Sequence, residues 1–181
     1  LYSDLLVVNN SSQVQTLLSI LKLLIEPNSV SQHKIIFDQF WEFQSNKNEE
    51  YFQMVSDLVH LTSVEFFTQI NQLSGSRLNL NDFLGLTLVE SVDRILTTIP
   101  FLDSNDRFIL TFLEDVFEFS RLKGTSLTDY LFHWETQSEK LRITAPESMN
   151  AIRVMTIHQA KGLEFPVVVL PFMDTPLHPN V

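Results

Sequence analysis

The apolar residues of this chain recur every three or four positions along most of its length, and this spacing constrains the fold more than any other feature. Such spacing gives an α-helix one apolar face, which must be buried against other helices. Only 4 glycines interrupt the chain, so few positions favour sharp turns. We therefore predict that residues 12 to about 141 are almost wholly helical.

Polar caps and helix breakers predict where the individual helices begin and end. A serine or threonine followed three residues later by Glu or Gln has the spacing of a capping box, whereas proline and glycine end helices. In the first half of the chain we predict a helix capped by Ser12 and ended by Pro27, helices over residues 32–44 and 49–60, and a helix capped by Thr62 and Glu65 that runs to about Leu73. A short helical turn over residues 81–85 precedes a helix that is capped by Thr87 and Glu90 and stops before Pro100. A long helix then runs from Ser104 to about Leu122 and is ended by Gly124, and Ser126 caps the last helix.

Aromatic residues of the second predicted helix have two interpretations. Phenylalanine and tryptophan side chains can form a platform on which nucleic-acid bases stack, but a stripe of aromatic residues at helical spacing is more often part of a hydrophobic core. We predict that the helix buries Ile36, Phe37, Phe40 and Phe43.

Two candidate strands follow the helical part. Residues 152–157 are rich in β-branched side chains, and the apolar run 166–171 is bounded by prolines. Runs of this length read as buried strands, yet two neighbouring strands do not form an independent sheet. The predicted fold class is therefore mostly α, with a small α/β portion at the C-terminal end.

The connection between these strands concentrates the polar chemistry of the chain. It reads TIHQAKGLEFP from Thr156 to Pro166. The hydroxyl of Thr156, the imidazole of His158 and the ammonium of Lys161 suit a phosphodiester oxygen. Gly162 permits a positive φ or a close backbone approach, and Glu164 can accept hydrogen bonds from ribose hydroxyls. Taken singly, these residues also suit a structural histidine, a solvated lysine and a carboxylate at a helix start.

This segment resembles motif V of the UvrD/Rep-like superfamily 1 DNA helicases. All eight specified positions of the pattern T-x-H-x-x-K-G-L-E-F-P match. The segments over residues 3–15 and 141–147 are similar to AddA/RecB-type members of that family. The resemblance implies a second RecA-like domain of the P-loop NTPase type, interrupted by a helical insertion. Its pieces would be residues 1–30 and 146–181, with the insertion at 31–145.

The resemblance also implies roles for the residues of the motif. Thr156, His158 and Lys161 would face single-stranded DNA, and Gly162 and Glu164 would face ATP. The parent protein would be an ATP-dependent DNA helicase, or the helicase subunit of a helicase-nuclease with a second subunit, acting in recombination and repair. It would use ATP and Mg²⁺, translocate on single-stranded DNA and contact duplex DNA.

Composition and missing motifs limit what this chain can do alone. Net charge is −10, which argues against a free-standing nucleic-acid binder. No phosphate-binding G-x-x-x-x-G-K-[ST] loop and no arginine-rich motif VI occur, so we expect no complete ATPase, no catalytic residue and no metal site in this chain. The absence of cysteine fits a reducing compartment, and we expect a cytoplasmic protein that does not enter membranes. The first residue is not methionine, and we expect the chain to be a piece of a longer protein.

Two other functional classes remain open from the sequence. The first is a helicase-like subunit that has lost its motor and serves as a DNA-binding scaffold. A dead motor has no need of Gly162 and Glu164, which argues against it. The second is a helical protein-interaction domain that carries the motif by chance.

Overall fold

The computed structural model describes residues 7–44, 49–143 and 156–170. The chain divides into two units, residues 2–148 and residues 149–181 with Leu1. In the larger unit the described helices are α1 (Ser12–Leu23), α2 (Val30–Gln44), α3 (Glu49–Asp57), α4 (Ser63–Ser74), α5 (Leu88–Thr98), α6 (Arg107–Lys123) and α7 (Leu127–Gln137), with 3-10 turns at Val8–Asn10, Leu58–His60, Leu80–Phe83 and Ser138–Lys140. The smaller unit contains α8 (Ile157–Ala160).

The first helix forms the centre of the larger unit. α1 contacts α2, α5 and α6, and the side chains of Val14, Leu17, Ile20 and Leu21 are fully buried. Each fully buried aliphatic side chain stabilises the fold by roughly 1.5–3 kcal/mol. α1 lies within residues 1–30, the first predicted piece of the RecA-like domain, yet it shares a core with the helices of the predicted insertion. The three-part division of the chain remains a prediction.

Aromatic rings form two clusters within this core. Phe37 and Trp41 of α2 pack edge to face, with ring centroids 5.9 Å apart, and Phe37 also stacks on Tyr51 of α3. On the other side, Phe112 of α6 contacts Trp134 of α7 at 5.0 Å. The core interpretation of the α2 aromatic stripe is therefore correct for Ile36, Phe37 and Phe40, but wrong for Phe43, whose side chain is 58% exposed.

The first and last described segments of the larger unit meet. Val7 and Arg142 form an isolated antiparallel bridge, and the Val8 N–H donates to the Leu141 carbonyl at 2.9 Å. The indole N–H of Trp134 donates to Asn9 Oδ1 at 3.0 Å. The points at which the chain enters and leaves the helical bundle are therefore adjacent.

Capping side chains set several helix boundaries as predicted. Thr62 and Thr87 both complete capping boxes with Glu65 and Glu90. Ser126 caps α7, and Gly124 with φ of 107° ends α6.

Three predicted boundaries are wrong. The cap of α1 is Ser11, whose hydroxyl accepts from the Val14 N–H, so Ser12 is the first residue inside the helix. α1 also ends at Leu23, before Pro27. α6 begins at Arg107 because the Asp106 carboxylate accepts from two backbone N–H groups, and not at Ser104.

The predicted strands have no counterpart in the part of the chain that the structure describes. Residues 152–155 lie outside it, but Ile157, predicted to end the first strand, lies in helix α8. Residues 167–170 of the second predicted strand have no regular structure. The described residues are thus mostly helical, and the RecA-like sheet is not seen among them. Within the same residues, no helix combines the length and the apolar character that crossing a bilayer requires.

Candidate functional site

The polar residues of the motif lie on one short helix and the turn that follows it. Thr156 precedes α8, and the Ala160 N–H donates to the Thr156 carbonyl at 3.0 Å, which closes the first turn. His158 lies inside α8, and Lys161 follows its last residue. The side chains of Thr156, His158 and Lys161 are exposed, so a ligand can reach them without rearrangement of a core.

A glycine in the left-handed conformation turns the chain after α8. Gly162 has a φ of 84°, a value that L side chains seldom adopt. Apart from Gly162 and its two chain neighbours, no described residue has a heavy atom within 4 Å of the position that a Cβ would occupy there. The predicted positive φ is therefore confirmed, and the reason for glycine at this position is backbone conformation. The space beside it is open to a ligand.

Glu164 follows this turn in an irregular, exposed segment. The alternative interpretation of Glu164 as a carboxylate at a helix start is wrong, because no helix begins at residue 164. Neither Lys161 nor Glu164 forms an ion pair within the described residues. Both charges therefore remain available to an external partner.

An apolar segment continues from the polar turn and is open to solvent. Val167 and Val169 are each 79% exposed, Val168 is 63% exposed and Leu170 is 56% exposed. A run of adjacent large apolar side chains is costly to leave in water. These residues have the composition of a buried strand and lack its surroundings, which explains why the predicted strand is not formed here.

A second cluster of titratable side chains, which sequence reasoning missed, joins α6 to α7. The Asp115 carboxylate accepts from the Tyr130 hydroxyl at 3.0 Å and lies 3.5 Å from His133 Nε2. Lys123 Nζ lies 3.3 Å from His133 Nδ1. Burial raises the pKa of the Tyr130 hydroxyl, and the Asp115 charge adds to that effect. The sequence offers no sign of this cluster, because its members lie on two different helices and come together only when those helices pack.

No group of three or more His, Cys, Asp or Glu side chains that could hold a metal ion occurs among the described residues. The chemistry of the motif segment is thus that of hydrogen bonds and two opposite charges on an accessible turn. The hydroxyl, imidazole and ammonium groups suit an anionic polymer, and the carboxylate suits a ligand that bears hydroxyl groups.

Comparison with known proteins shows a similarity in the C-terminal part of the chain. Residues 109–181, which include α7, most of α6 and the motif segment, match the UvrD-like helicase C-terminal domain. The segment that resembles motif V lies within the matched residues, in agreement with the resemblance predicted from the sequence.

A curated relative matches over a shorter stretch. It is an ATP-dependent helicase/nuclease subunit of Desulforudis audaxviator (strain MP104C), and it is 70% identical over 27 residues. Those residues are 15% of this chain, and the match spans only 2% of the length of that protein. No solved structure shows significant similarity to the chain.

Proposed function

We propose that this chain is part of an ATP-dependent DNA helicase, of the helicase or helicase-nuclease kind used in DNA recombination and repair. The observation that carries the proposal is the turn over residues 156–164. It matches motif V at every specified position that it contains, presents its polar side chains to solvent and has its glycine in the left-handed conformation. Within the UvrD-like helicases, such a segment is expected to contact both ligands of the motor.

In this proposal, the side chains of the turn divide between two ligands. Thr156, His158 and Lys161 hold phosphodiester oxygens of single-stranded DNA through a hydroxyl, an imidazole and an ammonium group. Gly162 lets the nucleotide approach the backbone, and Glu164 accepts from its ribose hydroxyls or orients a cationic group beside it. The DNA contact at Lys161 and the nucleotide contact at Glu164 lie on one short turn. When binding of one ligand moves this turn, the affinity for the other ligand changes.

The fit to ATP and Mg²⁺ is partial. The carboxylate of Glu164 and the open space beside Gly162 suit the sugar end of a nucleotide. A carboxylate cannot donate a hydrogen bond to phosphate, and glycine has no side chain. The phosphates and the magnesium ion would therefore bind to parts of the parent protein outside this chain. ATP hydrolysis would supply the free energy for translocation, while the residues here would transmit it to the strand.

The exposed apolar run and the adjacent ends of the bundle support the predicted place of this chain in a RecA-like domain. Residues 167–170 would pair with strands of the parent sheet, which would remove their side chains from water. An inserted bundle must enter and leave its host sheet at neighbouring points. The contact of Val7 with Arg142 meets that requirement for a bundle that includes α1 and thus begins before residue 31, where the predicted insertion starts. We propose that the helical insertion contacts duplex DNA or regulates opening, and that a second subunit completes a helicase-nuclease complex.

The nucleotide half of the proposal is tested by Glu164→Gln in the parent protein. The substitution removes the charge and keeps the shape, so DNA-stimulated ATP hydrolysis is expected to fall by roughly 10- to 100-fold if the carboxylate acts in the transition state. Glu135→Gln, at an exposed position of α7, is the matched control and should have no effect. Normal turnover together with normal nucleotide affinity for Glu164→Gln would remove this residue from the site. Absence of ATP hydrolysis by the wild-type parent protein would instead favour a scaffold that lacks a working motor.

The DNA half is tested by Lys161→Ala. Loss of one phosphate contact should weaken binding of single-stranded DNA and reduce the slope of log affinity against log salt by about 0.7. Lys140→Ala removes a lysine of the helical unit and should leave that slope unchanged. An identical slope for the wild type and Lys161→Ala would contradict the contact.

A further inference from the structure

An open groove of about 440 Å³ lies on the helical unit, between α4 and the loop of residues 75–81. We call it the α4 groove. Helix α4 forms one wall, the loop forms the other, and Pro27 lines the groove beside the first turn of α4. None of these residues belongs to the motif segment, so the groove needs an explanation of its own.

A single side-chain amide holds the loop wall in place. Asn71 Nδ2 donates to the Leu78 carbonyl at 2.8 Å, and Asn71 Oδ1 accepts from the Leu78 N–H at 3.0 Å. The same oxygen accepts from the Ser76 hydroxyl at 2.8 Å. This pairing holds both backbone groups of one residue, as a neighbouring strand does. The wall is thus formed before any ligand arrives, which lowers the entropic cost of binding.

The surface of the groove combines apolar side chains with one cation. Phe67 and Leu78 are almost fully buried beneath it, and Val64 at its side is 76% exposed. Arg77 is the sole charged residue among those that line the groove. Its side chain is exposed and forms no ion pair within the described residues. The backbone N–H and C=O of Arg77 likewise have no backbone hydrogen bond there.

These features define the ligand by size and by chemistry. From Ser63 to Asn71, α4 rises about 12 Å at 1.5 Å per residue, which matches three to four residues of extended peptide at about 3.3 Å each. An apolar side chain would cover Phe67 and Val64. A carboxylate would pair with the Arg77 guanidinium, and peptide groups would meet its backbone.

We propose that the α4 groove docks a short extended segment of a partner protein, in which an apolar side chain lies within two or three residues of an aspartate or glutamate. The number of charges in the groove favours this ligand over a nucleic acid. Arg77, the one charged residue that lines the groove, can pair with a single carboxylate, whereas one arginine cannot replace the counterions of several phosphates.

Selection from a phage-displayed library of random heptapeptides, with this chain as the bait, tests the proposal. The selected peptides should share an acidic residue close to Leu, Ile, Val or Phe. The strongest peptide is then synthesised with a fluorescent label, and its dissociation constant is measured by anisotropy. Arg77→Glu should weaken binding about tenfold or more, because it replaces attraction by repulsion.

Two further variants separate the groove from the general surface. Val64→Asp should also weaken binding, and the fold should tolerate it because an acidic residue is favourable in the first turn of a helix. Arg94→Glu changes an exposed arginine of α5 and should leave affinity unchanged. Unchanged circular dichroism spectra of all three variants establish that the fold is intact.

Several outcomes would overturn the proposal. The library could yield no peptide that binds the wild type, or the selected peptides could bind Arg77→Glu as well as the wild type. Backbone amide shifts in NMR spectra could change away from residues 63–81. Competition by a 20-nucleotide oligothymidylate would assign the groove to nucleic acid instead.

Discussion

At the scale of single residues, Thr62 and Thr87 each begin a helix with the same reciprocal hydrogen bonds. The Thr62 N–H and hydroxyl both donate to Glu65 Oε2 at 2.8 Å, and the Thr62 hydroxyl accepts from the Glu65 N–H. We predict that Thr62→Ala lowers the free energy of unfolding by about 1 kcal/mol, as measured by urea denaturation. Thr68→Ala, in the middle of the same helix, is the control and should be neutral or slightly stabilising because alanine favours helix.

The two capping boxes also predict a dependence on pH. Hydrogen bonds from Thr62 and Thr87 lower the pKa of Glu65 and Glu90 below their ordinary value of 4.5. A carboxylate with a depressed pKa in the folded state stabilises the fold above its unfolded pKa, and this contribution is lost as the pH falls through the folded value. The stability difference between the wild type and the double variant Glu65→Gln, Glu90→Gln should therefore shrink below about pH 4.5. A constant difference from about pH 7 to about pH 3 would contradict the boxes.

Tyr130 predicts the opposite dependence at alkaline pH. Its ring is fully buried, and its hydroxyl donates to Asp115. Tyr130→Phe should cost about 1–2 kcal/mol near neutral pH, because Asp115 loses a hydrogen-bond partner. Since burial raises the pKa of Tyr130 above its ordinary value of 10.0, its contribution is complete below that unfolded value and is lost as the pH rises above it. Urea titrations of both proteins should thus converge above about pH 10; parallel curves would disprove an intact hydroxyl–carboxylate contact.

Local signals predicted three caps correctly. Thr87 has no adjacent candidate, whereas Thr62 and Ser126 cap their helices although Ser63 and Thr125 lie beside them. Ser12 and Ser104 failed for one reason: another oxygen-bearing side chain, Ser11 or Asp106, lies one or two positions away and accepts the first helical N–H groups. Sequence spacing alone does not decide between neighbouring caps.

At the scale of helices, His33 joins α2 to α4. Its imidazole is fully buried and stacks on Phe66, with ring centroids 4.2 Å apart. Among the described residues, neither ring nitrogen has a hydrogen-bond partner of good geometry. Burial lowers the pKa of His33 below 6.5, and the Pro27 backbone opposes this only in part. The neutral ring is therefore the form that suits this helix contact.

This burial predicts a loss of stability in mild acid. A base with a depressed pKa contributes fully above its unfolded value and loses that contribution as the pH falls. The free energy of unfolding of the wild type should therefore decline below about pH 6.5, and His33→Leu should flatten that decline. His60→Gln, at an exposed position, is the control and should keep the wild-type slope. Identical slopes for His33→Leu and the wild type would place the acid sensitivity elsewhere.

Helical periodicity identified the elements but not all of their neighbours. It predicted α2 and α6, and the buried residues Phe37, Phe112 and Val116 follow its phase. Phe43 and Phe117 remain 58% and 55% exposed, because no described helix covers those parts of their surfaces. The pairing of helices depends on contacts between residues distant in sequence, such as those of α1 with α5 and α6. The periodicity of a single segment gives no information about such contacts.

At the scale of the whole molecule, the described parts differ in how much of their backbone is protected. Residues of α1 such as Leu17 and Leu21 are fully buried inside hydrogen-bonded helix. Residues 167–170 are exposed, and no backbone hydrogen bond from their N–H groups occurs among the described residues. We predict that amide hydrogen exchange of α1 approaches the rate set by global unfolding, whereas residues 167–170 exchange at nearly the rate of a free peptide.

A slow exchange at residues 167–170 would show that this run is paired in the isolated chain. In the parent protein, by contrast, the same amides should become protected, because strands of the predicted sheet would then bind them. The difference between the two measurements tests the place of the run in that sheet.

The large-scale fold was the part least accessible from this sequence. The mostly helical class followed from composition and periodicity, and the motif could be placed because eight positions match. The α/β portion stays a prediction, since a strand is stabilised by neighbouring strands and no strand occurs among the described residues. Ile157 illustrates this point, because its β-branched side chain suggests a strand while its backbone forms the first turn of α8.

Three adjacent valines open to solvent have a practical consequence for anyone who handles this chain in isolation. Unpaired apolar backbone of this kind is a template for the same segment of another molecule. Self-association should consequently increase as concentration rises, and light scattering should reveal growing aggregates. Val168→Lys should raise the attainable concentration, because the added positive charge would make residues 167–170 of two molecules repel each other.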